Sequence, residues 1–280
     1  MIERRAVGQV KEVTSLANPL VKDIKSLALK KFRDQQNAFM AEGLKLVIDA
    51  LDLGWRINAL VFAKTGKGNP AVEKVAARTV AAGGLVLEVS EKVLSAITRR
   101  DNPQMVVGVF EQRWTPLKDI RPAAGDVWVA LDRVRDPGNL GTIIRTVDAV
   151  GAKGVVLVGD TTDPFAVETV RATMGSIFAV PVARASEVEF LAWRAGFKGL
   201  VAGTHLKGAV DYRSVDYAGK PVLLVMGNEQ QGLPDSLAAA CDRLLIIPQA
   251  GRADSLNLAV ATGVMLFEIR RGALKVGAGA

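Results

Sequence analysis

The side chains that could do chemistry fall in three short stretches. Residues 131–145 read LDRVRDPGNLGTIIR and carry Asn139 and, six positions on, Arg145. Residues 226–234 read MGNEQQGLP, in which Gly227 and Gly232 bracket Asn228 and Glu229. A glycine at a strand end lets a backbone approach a ligand closely, and a carboxylate beside it can orient a hydroxyl or an amine. Residues 246–257 read IIPQAGRADSLN and lead into an apolar helix. Asp254 or Ser255 suits the N-cap of that helix, whereas Asn257 in its first turn spends helix propensity without a structural return.

The flanking patterns say what must position these groups. Apolar runs over 127–131 and 154–158 read as strands, and apolar positions 140, 143, 144, 147 and 150 give the intervening helix one buried face. Arg145 falls off that face, and Asn139 stands where an N-cap should stand, delivered by the turn of Pro137 and Gly138. The pattern continues with a helix over 165–174, a strand near 178–181, a helix over 187–195, strands over 199–202, 222–226 and 244–247, and a helix over 256–270. That order is a mostly parallel sheet with helices on both faces, where ligands sit beyond the carboxyl ends of the strands. Upstream, helices over 41–53, 71–82 and 91–97 alternate with strands over 59–63, 85–89 and 105–110, a small α/β domain. Before it, residues 11–33 read as a basic helical arm with Lys11, Lys22, Lys25, Lys30, Lys31 and Arg33. The segments are therefore 1–115, a Pro- and Gly-bearing linker over 116–125, a second domain over 126–272 and a flexible tail over 273–280.

The chain has 280 residues, 49% of them hydrophobic, enough for two cored domains, and a formal net charge of +7. The excess suggests a polyanionic partner. No run approaches the ~18 apolar residues of a membrane span, and the charged N-terminus does not resemble a signal peptide, so a cytoplasmic location is expected. A single cysteine, Cys241, and a single histidine, His205, offer neither a disulfide nor a structural metal site of thiolates and imidazoles.

Taken together, N-x5-R in the first crossover, GNEQQGLP after a later strand and IIP-x6-SLNLAVA before the last helix resemble the three motifs of the SpoU (TrmH-like) RNA ribose 2′-O-methyltransferases, of the SPOUT class. The resemblance spans about 126–270. Asn18-Pro19, the basic arm and Phe39-Met40-Ala41-Glu42-Gly43 are similar to that family's RNA-binding domain. The resemblance implies that the C-terminal chain passes through a loop to form a deep trefoil knot, an exception to the rule against knotted chains. It also implies S-adenosylmethionine held in the knot by Gly227, Asn228, Ile247 and Leu256, an RNA substrate, and a homodimer. By the same resemblance Asn139, Arg145, Glu229, Ser255 and Asn257 are the catalytic set, and the two-domain layout leans toward ribosomal rather than transfer RNA.

Within that set Arg145 is the group that would activate the hydroxyl, yet a guanidinium is effectively always protonated. Its implied role is therefore a cation that grips a target phosphate and stabilises the forming alkoxide, while phosphate or water takes the proton. Arg171 is a further candidate RNA contact. Two rival readings stand beside this one. One is a nicotinamide-dependent Rossmann oxidoreductase built on Gly138, Gly141 and Asp160, which leaves the second and third stretches unused. The other is a non-catalytic RNA-binding or assembly protein.

Overall fold

The computed structural model describes residues 8–205, 209–252 and 255–275. By their contacts they form two compact units: the first runs up to Gln112 and adds Phe165–Phe178, and the second comprises Arg113–Pro164 and Ala179 onward.

The first unit opens with β1 (Gln9–Val13), α1 (Pro19–Ser26) and α2 (Lys30–Gln36). The basic stretch 11–33 is thus a strand and two short helices, not one helical arm. Pro19 stands at the first helical position behind Asn18, whose side chain accepts the Leu20 amide at 2.9 Å, so no helix runs through this point. Next come β2 (Ala38–Glu42), α3 (Leu44–Asp52), β3 (Ile57–Ala63), α4 (Pro70–Ala81), β4 (Leu85–Val89), α5 (Glu91–Thr98) and β5 (Val106–Glu111). Every residue of β2 is buried, so it shows no alternation and its apolar run merges with the helical pattern that follows. The sheet order is β1-β4-β3-β5-β2, with β5 antiparallel to both neighbours.

The second unit contains β6 (Val127–Asp132), α6 (Pro137–Ala149) and β7 (Gly154–Val158), after which the chain enters the first unit as α7 (Val167–Thr173). It resumes with β8 (Val182–Ala185), α8 (Glu187–Ala195), β9 (Leu200–Thr204), the two-residue β10 (Val210–Asp211), β11 (Val222–Met226), α9 (Asp235–Ala239), β12 (Arg243–Ile246) and α10 (Leu258–Arg270). The strand expected near 178–181 is β8; residues Ser176–Phe178 form a 3₁₀ turn instead. All pairs in this sheet are parallel, in the order β10-β12-β9-β11-β6-β7-β8. One face buries Trp128, Ala130, Val156, Leu223 and Val225 against Phe190 of α8 and Leu237 of α9. The alternate residues Val127, Val129 and Leu131 are buried too, on the opposite face, while α6 packs on β7 and against α10. The expected linker is not loose. Ile120 is buried in this same core, and the Thr115 amide donates to the Val182 carbonyl at 2.9 Å.

The helix expected over 165–174 in the second domain belongs by its contacts to the first unit. Phe165 and Phe178 close on Phe39 with ring centroids 4.8 and 6.0 Å apart, and Trp55 Nε1 donates to the Phe178 carbonyl at 2.8 Å. Arg171, expected as an RNA contact, is held by packing partners in this unit. Its Nη2 lies 2.6 Å from Oε1 of Glu42, whose side chain is 3% exposed, and 3.1 Å from the Thr98 carbonyl. Among the described residues no helix is long and apolar enough to cross a membrane. Of the expected tail, residues 276–280 lie outside the described residues, as does Asp254.

Candidate active site

β6 and β11 lie side by side at the point where the sheet reverses its strand order, so the loops leaving their carboxyl ends meet. Asp132 ends β6 with a buried carboxylate, and Arg133 folds back on it, Nη2 to Oδ2 at 2.8 Å and Nε to Oδ2 at 3.0 Å. Hydrogen bonding to that carboxylate holds the guanidinium above its usual range. The Arg133 backbone is left-handed, φ +46°, and its carbonyl accepts from Asn228 Nδ2 at 2.8 Å. Arg133 Nη1 also reaches Gln231 Oε1 at 3.3 Å, so this residue ties the β6 loop to the β11 loop.

Asn139 does not cap α6; Asp136 does. Proline at the first helical position has no amide to satisfy, and the residue before it holds the cap: Asp136 Oδ1 accepts the Asn139 amide at 2.6 Å. Its carboxylate also faces the positive end of the helix dipole. The Asn139 side chain is left to donate through Nδ2 to Glu229 Oε1 at 3.3 Å and to accept through Oδ1 from Asn257 Nδ2 at 2.9 Å.

Asn257 is in turn the N-cap of α10, its Oδ1 accepting the Ala259 and Val260 amides at 2.9 and 3.3 Å. Ser255 is not the cap, and Asn257 has the structural role that the sequence pattern denies it. The cap also orients the amide. With oxygen turned to the helix, nitrogen faces Asn139, whose own nitrogen then faces Glu229, so the donors run in one direction from a helix end to a carboxylate.

The β11 loop is closed by its own groups. Asn228 Oδ1 accepts the Gln230 and Gln231 amides at 2.9 and 3.3 Å, and Gly232 adopts φ +69°. A Cβ on Gly227 would lie 2.2 Å from the Gly232 carbonyl carbon and the Leu233 nitrogen. The loop folding onto itself is therefore enough to require glycine at 227.

Two clefts adjoin at these loops. One, of about 540 Å³, is lined by Arg135, Asp136, Asn139, Glu229, Ser255 and Asn257 among others. The other, of about 570 Å³, is lined by Gly227 and Ile247, by apolar Met226, Leu233 and Leu245, and by residues it shares with the first, among them Asn228, Glu229, Ser255 and Leu256. Neither Gly227, which is buried, nor Ile247 nor Leu256 has a backbone hydrogen bond to another described residue. An apolar cleft of this size edged by unspent backbone donors and acceptors suits a ligand with an aromatic base, hydroxyls and a charged end. S-adenosylmethionine has that chemistry, so the residues present fit it.

Eight of the nine residues singled out from the sequence therefore line the clefts, and Arg145 does not. It is exposed on α6, lines neither cleft and makes no hydrogen bond or ion pair with another described residue. Arg133, Arg135, Asp136 and Gln230 are site residues that sequence reasoning missed. Only Asp136 carried a signal, the proline that follows it.

The SpoU rRNA Methylase family matches residues 126–267, and the MRM3-like substrate binding domain matches residues 18–108. A Bacillus subtilis 23S rRNA guanosine 2′-O-methyltransferase is 32% identical over 93% of this chain and 100% of its own length. A Streptomyces viridochromogenes 23S rRNA uridine 2′-O-methyltransferase is 32% identical over 85% of this chain and 84% of its own. The AdoMet-bound crystal structure of an rRNA methyltransferase from Sinorhizobium meliloti is 67% identical, covers 96% of this chain and 100% of that one, and superposes with a TM-score of 0.91.

Proposed function

The chain belongs to the SpoU rRNA methylase family, and from that premise we propose that it transfers a methyl group from S-adenosylmethionine to a ribose 2′-hydroxyl of ribosomal RNA. The observation that carries this reading is the meeting of three loops in two adjoining clefts, one fitted to the cofactor and one polar enough for a nucleotide. Ribosomal RNA is favoured over transfer RNA because the 23S rRNA enzymes match along both units. A ribosomal RNA substrate also agrees with a cytoplasmic location. The nicotinamide reading is disfavoured by the sheet: β11, not the next strand of a doubly wound dinucleotide fold, lies beside β6.

Gly227, Asn228, Ile247 and Leu256 would hold the cofactor, which supplies an electrophilic sulfonium methyl when bound. We read the segments around β11, β12 and the start of α10 as the knotted part of the fold. Alignment of the attacking oxygen is a large share of the work and can be worth roughly 7–11 kcal/mol. Asn139, fixed between Glu229 and Asn257, holds the ribose with Ser255, and Glu229 accepts a hydrogen bond from the hydroxyl.

Arg145 fits the mechanism through a second copy of the chain. α10 is apolar nearly all round, and it leaves Val260 and Phe267 more than half exposed, a face that a homodimer would cover. In such a dimer Arg145 of one protomer serves the cleft of the other, gripping a target phosphate and steadying the alkoxide as phosphate or water takes the proton. The unit up to Gln112 supplies affinity for RNA. The test is methyl transfer from radiolabelled S-adenosylmethionine to ribosomal RNA, followed by nucleoside analysis. Label in a 2′-O-methyl nucleoside is the expected result; label on a base, or none, refutes the reading.

A further inference from the structure

The cleft beside the cofactor cleft has an uneven charge. Asp136 and Glu229 bring two carboxylates to its wall, and Arg135 is the one cation among its described lining residues. A ribose within RNA carries a phosphodiester on each side, so a target nucleotide approaches these carboxylates with negative charge of its own. Within the chain Arg145 gives no relief, since it does not line this cleft.

Arg135 is engaged elsewhere, but weakly. Its Nη1 donates to Asp160 Oδ2 at 2.7 Å, with side chains 60% and 78% exposed respectively. An ion pair so open to water is readily exchanged. A phosphate offers the guanidinium two parallel bonds in place of that one. The backbone from which Arg135 reaches is anchored by the Asp136 cap and Pro137, so the side chain swings from a fixed point at the mouth of the cleft.

We propose that Arg135 is a substrate-contact residue whose guanidinium leaves Asp160 when RNA binds and grips a phosphate beside the target ribose. Asp160 parks the arginine in the absence of RNA and competes with the phosphate, so the pair sets affinity and selectivity for the acceptor strand. The inference rests on the reading of the protein as an RNA ribose methyltransferase.

The experiment uses the full chain, S-adenosylmethionine and ribosomal RNA from cells lacking the protein, with methyl transfer followed against RNA concentration at several KCl concentrations. Arg135→Gln should raise the KM for RNA by about tenfold, the loss of a charge-assisted contact. It should also flatten the plot of log affinity against log salt by about 0.7–0.9, the share of one phosphate contact. Calorimetric affinity for S-adenosylmethionine should stay at the wild-type value. Asp160→Asn should lower the KM, and its effect should shrink once Arg135 is Gln. Wild-type KM and salt slope in Arg135→Gln overturn the proposal, as does an Asp160→Asn effect of undiminished size without the arginine. A wild-type protein that transfers no methyl group to any ribosomal RNA overturns the functional reading and this inference with it.

Discussion

Asn257 both caps a helix and orients the Asn139 amide, and one substitution separates the two roles. Asn257→Ala removes the acceptor for the Ala259 and Val260 amides, a loss of about 1 kcal/mol, and the donor to Asn139 2.9 Å away. For a chain of this size that stability change corresponds to a fall of about 2–4 °C in Tm. Asn257→Asp keeps an acceptor on the cap and adds a negative charge at a helix N-terminus, worth about 0.3–1 kcal/mol. It also places oxygen against Asn139 Oδ1, and the amide cannot simply turn over, because its oxygen would then meet the Glu229 carboxylate. Asn257→Asp should therefore melt at or above the wild-type temperature while single-turnover methyl transfer falls by about 10²-fold, the scale of a small misplacement at the reacting centre. Asn257→Ala should lose both. Wild-type rates in a stable Asn257→Asp protein would refute the directional chain of donors, and an unchanged Tm in Asn257→Ala would refute the cap.

Four other outcomes are expected. Arg145→Lys should lose nearly as much single-turnover rate as Arg145→Ala, on the order of 10²–10³, because an ammonium cannot form the bidentate fork. If Arg145 acts across a dimer, equal mixing of Arg145→Ala and Asn139→Ala protomers should restore about a quarter of wild-type activity, since half the dimers then hold one intact site; arginine acting in its own protomer predicts no recovery. Arg171→Met leaves the Glu42 carboxylate buried without its main partner and should destabilise the protein by about 3–5 kcal/mol, measured by denaturant unfolding, with cofactor affinity in the surviving folded fraction unchanged. Burial pushes the Cys241 thiol up to about 12, so at pH 8 the native protein should react with a disulfide reagent far more slowly than the denatured protein.

Legibility in the sequence followed burial pattern and local chemistry. The parallel sheet of the second unit was readable because its strands are continuous apolar runs: β7, α8 and β11 fall at the expected residues. β1 and β2 were not, the first because its exposed, Lys-bearing residues share a helical spacing, the second because it is buried throughout. At the site, the three loops are legible from their Gly, Asn and Glu content, but the caps are not: the pattern points to Asn139 and to Asp254 or Ser255, where Asp136 and Asn257 cap the helices. Pro137 marks the first helical position and so points to Asp136, a rule that also frees Asn139 for the cleft. The excursion of the segment Phe165–Phe178 into the first unit has no local signal, since Phe165, Arg171 and Phe178 find partners more than 50 residues away in sequence. Nor did Gly227 reveal its reason, which is a contact within its own loop.

The central claim is that this chain methylates a ribose of ribosomal RNA, and mapping 2′-O-methylation across that RNA in cells tests it most directly. Ribosomal RNA from cells lacking the protein should be open to alkaline cleavage at a position that is protected in the parent, and re-expression of the wild-type chain, but not of Arg145→Ala, should restore the protection. Identical protection in parent and deletion ribosomal RNA, or a change confined to transfer RNA, would contradict it.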